Sequence, residues 1–195
     1  MLSKRILTIQ DLSCVGRCSL TVALPVLSAY GMETCVLPTA VLSNHTAFDK
    51  WSCLNLTYEM KNILAAWQEN GFRFDAFLTG YLGFAGVVDI VKTCFGDFSN
   101  ESAEIIIDPA FGDNGRLYPA YNGKYVTAMA DLIKSADIIL PNLTEAYFLA
   151  GIEYRSDTSP ESAKEIVKRL TEYTPAAIVL TGMERDGEIG DLIYS

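Results

Sequence analysis

Short apolar runs rich in β-branched residues alternate along this chain with longer stretches whose apolar residues recur at helical spacing. Such alternation is typical of βα units, which build a mostly parallel sheet covered by helices. The pattern therefore predicts an α/β fold of the Rossmann type, with a mostly parallel sheet and helices on both faces. The predicted strands cover residues 5–9, 34–41, 74–79, 103–108, 137–140 and 176–181.

Helices are predicted between these strands. The segments 57–69 and 160–173 carry apolar residues at helical spacing, and in the second Ser159 can cap while Pro160 takes the first helical position. A further helix is predicted over 19–30, where Pro25 lies in the first turns or causes a kink. No internal repeat or low-complexity linker interrupts the sequence, so residues 1–195 are predicted to form one domain.

Polar residues directly follow each predicted strand. Ligands of open parallel sheets bind beyond the carboxyl ends of the strands, so these residues are candidates for a site. Any one of them could be ordinary turn chemistry, but six that converge on one edge are a stronger argument. They are Gln10–Asp11, Ser43–Thr46, Gly80–Tyr81, Asp108–Pro109, Pro141–Asn142 and Thr181–Gly182.

Asn142 and Glu145 lie three residues apart at a predicted strand-to-helix junction. A helix N-terminus favours an anion, and a carboxylate there can hold Mg²⁺ through water. The same spacing also describes a capping box, in which the two side chains satisfy free backbone amides. The sequence leaves both interpretations open.

Asp108 and His45 are each open to a functional and a structural interpretation. Asp108 follows three isoleucines and precedes a proline, so it is either an acid on the metal and phosphate side or a turn aspartate. His45 is the only histidine, and a lone histidine is usually packed or on the surface.

Two nucleotide-binding motifs are absent, and a third is incomplete. The sequence has neither a Walker A motif nor Gly-x-Gly-x-x-Gly, which removes the main support for a P-loop or dinucleotide site. The string Glu188–Asp191 is half of a Gly-x-Gly-Asp anion loop, lacks its first glycine, and is predicted to be a terminal β-hairpin.

The charge and cysteine content of the chain limit the classes of partner that it could bind. A net charge of -9 with no basic run argues against nucleic acid and against an anionic membrane. An acidic chain that binds a polyphosphate must do so locally, through backbone amides and a divalent metal. Five scattered cysteines and no signal peptide favour the cytoplasm.

Five strings together resemble pyridoxal/pyridoxamine kinases, the vitamin B6 kinases of the ribokinase-like superfamily. Three are fairly specific to B6 kinases, and two are shared across the superfamily. The first three are Ile6–Asp11, Ser43–Thr46 with Lys50–Trp51, and Gly80–Gly83; the other two are Asp108–Asp113 and Pro141–Glu145.

The resemblance implies transfer of the ATP γ-phosphoryl group to the 5′-hydroxymethyl of a B6 vitamer. It further implies a ribokinase-like fold, Mg²⁺ with room for a monovalent cation, and a homodimer in the full-length parent. Asp108 and Glu145 would serve the metal. The residues that would face the vitamer ring are Asp11, His45, Thr46 and Tyr81, and those near ATP and its phosphates are Asp108, Asn142, Glu145, Thr181 and Gly182.

The sequence also departs from the family. Position 11 is an acid where many relatives carry serine, and position 182 is glycine where some carry lysine, which bears on substrate preference and nucleotide contacts. The family's Gly-x-Gly-Asp loop, whose aspartate is the general base, would follow residue 195. No catalytic base is therefore expected within the chain, which corresponds to the N-terminal two thirds of such a kinase.

By itself the chain is accordingly expected to be inactive, with an uncovered apolar surface around 176–181. Two other functions stay open. A hydroxymethylpyrimidine kinase would share the fold and the phosphate motifs, and a non-catalytic binding fragment would fit the missing loop.

Overall fold

The computed structural model describes residues 4–185 and 187–195, except for the side chain of Arg185. Its contacts cluster in two compact units, Met1–Ile105 and Ile106–Ser195. The strands are β1 (Arg5–Ser13), β2 (Glu33–Leu42), β3 (Cys53–Asn55), β4 (Phe74–Thr79), β5 (Ser99–Ile107), β6 (Gly112–Asp113), β7 (Arg116–Leu117), β8 (Ile138–Ile139), β9 (Ala177–Arg185) and β10 (Glu188–Tyr194). The helices are α1 (Leu20–Ala29), α2 (Thr57–Asn70), α3 (Ala85–Phe98), α4 (Gly123–Leu132), α5 (Leu143–Ala150) and α6 (Pro160–Leu170).

The first unit has a parallel centre. Strand β1 pairs in parallel with β2 on one side and with β4 on the other, and the short β3 adds an antiparallel edge to β2. Helix α1 packs against β1 and β2, while α2 and α3 pack against each other. Five aromatic side chains meet edge to face beneath α2 and α3, which fixes these helices on the sheet: Trp67, Phe74, Phe77, Phe95 and Phe98.

The second unit continues the parallel pattern. The end of β5 at Ile106–Ile107 pairs with β8, and β8 pairs in parallel with β9. Strand β10 folds back antiparallel on β9, which confirms the predicted terminal hairpin. Helix α5 packs against α4, α6, β6 and β9, so it is central to this unit.

The predicted helix boundaries are close to those observed. Helix α6 begins at Pro160 with the Ser159 hydroxyl accepting the Ser162 amide, as predicted, but ends at Leu170. Pro25 is the sixth residue of α1 and so lies in its second turn, in agreement with the predicted placement in the first turns. None of the described helices is long and apolar enough to cross a bilayer.

Two predicted strand ends are wrong. Strand β1 continues to Ser13, so Asp11 lies inside it, and β9 continues to Arg185, so Thr181 and Gly182 lie inside that strand. In both cases the polar residues sit at a bulge in a continuing strand instead of after its end.

The expected apolar surface around 176–181 is also misplaced. Ile178 and Leu180 are fully buried. The exposed apolar side chains of this hairpin lie on β10 instead, where Ile189 is 79% and Ile193 is 72% exposed. The physical reason is that β10 pairs along the edge of β9 and becomes the edge strand itself.

Candidate active site

The sequence-predicted site residues fall into two groups, one in each unit. Asp11, His45, Thr46 and Tyr81 belong to the first unit. The second contains the remaining five: Asp108, Asn142, Glu145, Thr181 and Gly182.

Asp11 is a buried carboxylate at an irregular point of β1. Its side chain accepts a hydrogen bond of 2.9 Å from the Ser13 hydroxyl, and the residue is only 3% exposed. The pairing register shifts here, so that Thr39 and Ala40 of β2 oppose Asp11 alone. The extra residue of this bulge lies in β2, so two β2 residues pack opposite the buried Asp11.

Gly80 is required by its neighbour Gln10. A Cβ at position 80 would lie 2.6 Å from Gln10 Oε1. The buried Gln10 amide in turn donates to the Thr8 hydroxyl at 2.7 Å, so this side chain has little freedom to move away. Tyr81 follows directly, half-buried, and its carbonyl accepts the Thr39 hydroxyl at 3.1 Å. The predicted junction after β4 is therefore closely packed.

The loop after β2 is closed by its own polar groups. Ser43 exchanges hydrogen bonds with Ser52 through its backbone amide and its hydroxyl, and the Asn44 amide donates to the Lys50 carbonyl at 3.0 Å. His45 is half-buried and Thr46 is exposed on this loop. The two residues are thus presented on a loop with a defined backbone.

His45 is also fastened to the segment that follows β1. Its amide donates to the Val15 carbonyl at 2.8 Å. Gly16 has φ +100°, and a Cβ there would lie 2.8 Å from His45 Cβ. Only glycine meets both requirements, because other residues rarely adopt this φ and would collide with the histidine.

In the second unit, Asp108 leaves the end of β5 as predicted. Its Oδ1 accepts the Ala110 amide at 3.2 Å, and Ala110 itself has a positive φ of 43°. Although the residue keeps partial exposure, surrounding protein atoms desolvate the carboxyl and raise its pKa to about 6.

Glu145 accepts hydrogen bonds from three backbone amides. Oε1 takes the amides of Phe111 at 2.8 Å and Gly112 at 3.4 Å, and Oε2 takes the Asn142 amide at 3.0 Å. Burial, followed by the negative charge of Asp108, raises the pKa of this carboxyl to about 8, and the three amides oppose that rise. The negative charge of Asp108 thus adds to the effect of burial on Glu145.

The capping-box interpretation is confirmed. Asn142 Oδ1 accepts the Glu145 amide at 3.0 Å while the Glu145 carboxylate accepts the Asn142 amide. A metal role for Glu145 stays a prediction, and the two roles are compatible because an ionised carboxylate can accept about four hydrogen bonds.

Side chains at the start of α5 also hold the loop 111–115. Asn142 Nδ2 donates to the Gly112 carbonyl at 2.8 Å, and the Thr144 hydroxyl accepts the Gly115 amide at 2.9 Å. Thr144 is 2% exposed and received no role from the sequence. Its position beside a capping pair is the only signal that could have indicated one.

Thr181 and Gly182 form a bulge opposite Asp191 of β10. The Thr181 amide donates to the Pro141 carbonyl at 2.9 Å, and the Gly182 amide to Asp191 Oδ1 at 3.3 Å. Gly182 has φ +68°, a conformation that favours glycine. The glycine at this position is therefore explained by the backbone.

The acid pair could take part in metal binding only with help. Among the described residues, no group of three or more His, Cys, Asp or Glu side chains is placed to hold an ion. Mg²⁺ keeps several waters and commonly uses one or two carboxylates together with substrate phosphates. The Asp108–Glu145 pair fits that kind of site.

The raised pKa of Glu145 predicts how stability depends on pH. The folded state binds this proton more tightly than the unfolded state does, so without Mg²⁺ the free energy of unfolding should fall as pH rises from about 5 to about 9. Glu145→Gln, the neutral counterpart, should flatten the profile. Urea denaturation across this range measures it.

Glu153→Gln serves as the control, because Glu153 is an exposed carboxylate of the same unit. It should leave the pH profile of unfolding unchanged. Parallel profiles for the wild type and Glu145→Gln would show that Glu145 does not hold a shifted proton.

The comparisons with known proteins cover nearly the whole chain. The phosphomethylpyrimidine kinase family model matches residues 23–195. A protein of the fission yeast Schizosaccharomyces pombe, named as a pyridoxal kinase, is 29% identical over 99% of this chain. The chain spans 65% of the length of that relative.

Solved structures show the same relationship. A protein of Bacteroides thetaiotaomicron, named as a phosphomethylpyrimidine kinase and solved with pyridoxal, is 42% identical with a TM-score of 0.90, over 96% of this chain and 65% of its own. The pyridoxal kinase of Lactobacillus plantarum is 34% identical with a TM-score of 0.89, over 96% of this chain and 67% of its own. The pyridoxal kinase of Leishmania donovani, solved with ADP and pyridoxamine, is 25% identical with a TM-score of 0.82, over 98% of this chain and 72% of its own.

These matches confirm the predicted fold class, a ribokinase-like α/β fold with a mostly parallel sheet and helices on both faces. The family model covers far more than half of the chain. The chain therefore belongs to the phosphomethylpyrimidine kinase family, and it is similar to pyridoxal kinases along almost its whole length.

Proposed function

We propose that the protein to which this chain belongs is a pyridoxal kinase that transfers the ATP γ-phosphoryl group to the 5′-hydroxymethyl of a B6 vitamer. The observation that carries the proposal is the 42% identity to a protein solved with pyridoxal, over 96% of this chain. The complex of a similar kinase with ADP and pyridoxamine supports both the nucleotide and the substrate class.

On this proposal, the first unit binds the vitamer. The donors and acceptors available there are the buried Asp11 carboxylate, the His45 ring, the Thr46 hydroxyl and the Tyr81 side chain. A small polar aromatic ligand needs a few fixed polar groups in a partly apolar setting to set its orientation. The bulge at Asp11 and the closed loop around His45 supply such fixed groups.

On the same proposal, the second unit binds the phosphates of ATP. Asp108 and Glu145 would hold Mg²⁺, largely through water and phosphate oxygens, and Asn142 would lie beside them. When bound, the ion neutralises phosphate charge during transfer. Thr181 and Gly182 would lie near the nucleotide, at the bulge of β9. Burial disfavours ionisation of both acids, and the charge of Asp108 adds to this effect at Glu145, so a cation is the natural complement of this site.

The remaining parts of the proposal rest on the family resemblance. The aspartate that would take the hydroxyl proton is proposed to lie outside the present chain. The site is proposed to have room for a monovalent cation beside Mg²⁺, and the protein is proposed to act in the cytoplasm.

A homodimer is proposed for the full-length protein. No charged residue occurs between Arg17 and Glu33, and within this stretch Val22, Leu24 and Val26 are 41 to 48% exposed. A chain with net charge -9 repels its own copies except through an uncharged face. Helix α1 provides one, and a symmetric dimer uses the same face of both copies.

Sedimentation of the full-length protein and its Leu24→Glu variant tests this interface. The wild type should sediment as a dimer and the variant as a monomer, because the substitution places two like charges in an apolar contact. A Leu24→Glu variant that remains dimeric would place the interface elsewhere. The variant Lys61→Glu, on α2, is the control for added negative charge.

A second function has specific support. The matching family model takes its name from phosphomethylpyrimidine kinase, so a hydroxymethylpyrimidine remains a competing substrate. Steady-state turnover of the full-length protein with MgATP decides between the two. We expect kcat/KM for pyridoxal or pyridoxamine to exceed that for hydroxymethylpyrimidine by at least about tenfold, since one well-placed polar group already discriminates to that degree.

Turnover of hydroxymethylpyrimidine alone would contradict the proposal.

Asp11→Asn keeps the Ser13 hydrogen bond while removing charge, so it should raise KM for the vitamer and leave KM for ATP close to wild type. An equal rise in both would show that Asp11 does not face the vitamer.

A further inference from the structure

The imidazole ring of His45 accepts a hydrogen bond from the backbone two residues later. The Ala47 amide donates to His45 Nδ1 at 3.1 Å. The backbone of His45 is fixed independently, because its amide donates to Val15 and its carbonyl accepts the Phe48 amide at 3.2 Å. Ring and backbone are thus held by different partners, on this loop and on the segment that follows β1.

This contact determines which ring nitrogen carries hydrogen. A backbone amide can only donate, so Nδ1 must present a lone pair to it. A neutral imidazole has one hydrogen, which must then reside on Nε2. The side of the ring that faces away from Ala47 is therefore a hydrogen-bond donor.

We propose that the Ala47 amide locks His45 as the Nε2–H tautomer and that Nε2–H donates to an oxygen of the B6 vitamer. The second half rests on the proposed function, in which His45 faces the vitamer ring. A fixed donor at this position favours ligands that offer an oxygen there. It disfavours those that offer an amino group, whose hydrogens would oppose Nε2–H.

The size of this preference follows from the strength of one neutral hydrogen bond. Such a bond contributes enough to change a dissociation constant by about three- to tenfold. The donor would thus tune the choice among vitamers without determining whether one binds.

The test uses the 195-residue chain itself, in which His45 is the only histidine. In ¹⁵N-labelled protein, a long-range ¹H–¹⁵N correlation spectrum contains the two ring nitrogens of this residue alone. At about pH 8 we expect Nδ1 to show the chemical shift of an unprotonated nitrogen and Nε2 that of a protonated one. Protonated Nδ1, or equal shifts from a mixture of tautomers, would overturn the proposal.

Two variants at position 47 test the cause. Ala47→Pro removes the donating N–H, whereas Ala47→Ser keeps it. The Pro variant should shift toward the tautomer mixture of a free imidazole, and the Ser variant should keep the wild-type spectrum. An unchanged tautomer in a folded Pro variant would overturn the role of Ala47, and should that variant fail to fold, the wild-type spectrum still decides the tautomer.

Addition of pyridoxine tests the donor half. We expect the Nε2 resonance to shift on binding and its proton to exchange more slowly with water, while Nδ1 changes little. Calorimetry on the full-length protein measures pyridoxine binding separately. Binding without any change at Nε2 would overturn the donor role and leave the proposed function intact, whereas no binding would overturn both and leave only the tautomer.

Discussion

The buried carboxylate of Glu145 is the interaction on which the second unit depends. It closes the capping box that starts α5 and accepts the amides of Phe111 and Gly112 on the loop that follows Asp108. Helix α5 in turn packs against α4, α6, β6 and β9. One side chain therefore joins the start of the central helix to the loop that carries the other predicted phosphate-side acid.

Burial of the Glu145 carboxyl costs free energy, because it makes ionisation of this group less favourable. The free carboxylate would lose most of its hydration, and three amides restore only part of the lost stabilisation, which is why the pKa of Glu145 stays raised to about 8. Asp108 adds a second carboxyl whose pKa is raised to about 6. A cation placed beside them would make both acids easier to ionise, so the proposed Mg²⁺ would offset the cost of burying them.

The sequence predicted features that depend on neighbours along the chain. The strand-helix alternation, the Ser159–Pro160 helix start and the Asn142–Glu145 spacing are all local, and all are present in the structure. Features that depend on a remote partner were missed or misplaced. Asp11 and Thr181–Gly182 lie at bulges because the opposing strand has a different residue count, which alternation in one strand cannot reveal.

Thr144 illustrates the same limit. Its hydroxyl acts on Gly115, 29 positions earlier, and nothing in the string Asn142–Glu145 indicates that partner. The residues facing the vitamer came from resemblance to B6 kinases, because spacing alone gave Asp11, Thr46 and Tyr81 no chemistry beyond that of polar residues near strand ends.

Amide hydrogen exchange at Phe111 and Gly112 shows whether Glu145 holds the loop after Asp108, when wild type is compared with Glu145→Ala and with the exposed control Glu153→Ala. We expect these two amides to exchange faster by roughly tenfold or more in Glu145→Ala, the effect of losing about one hydrogen bond each, with the control unchanged. Equal protection of both amides in wild type and Glu145→Ala would contradict it.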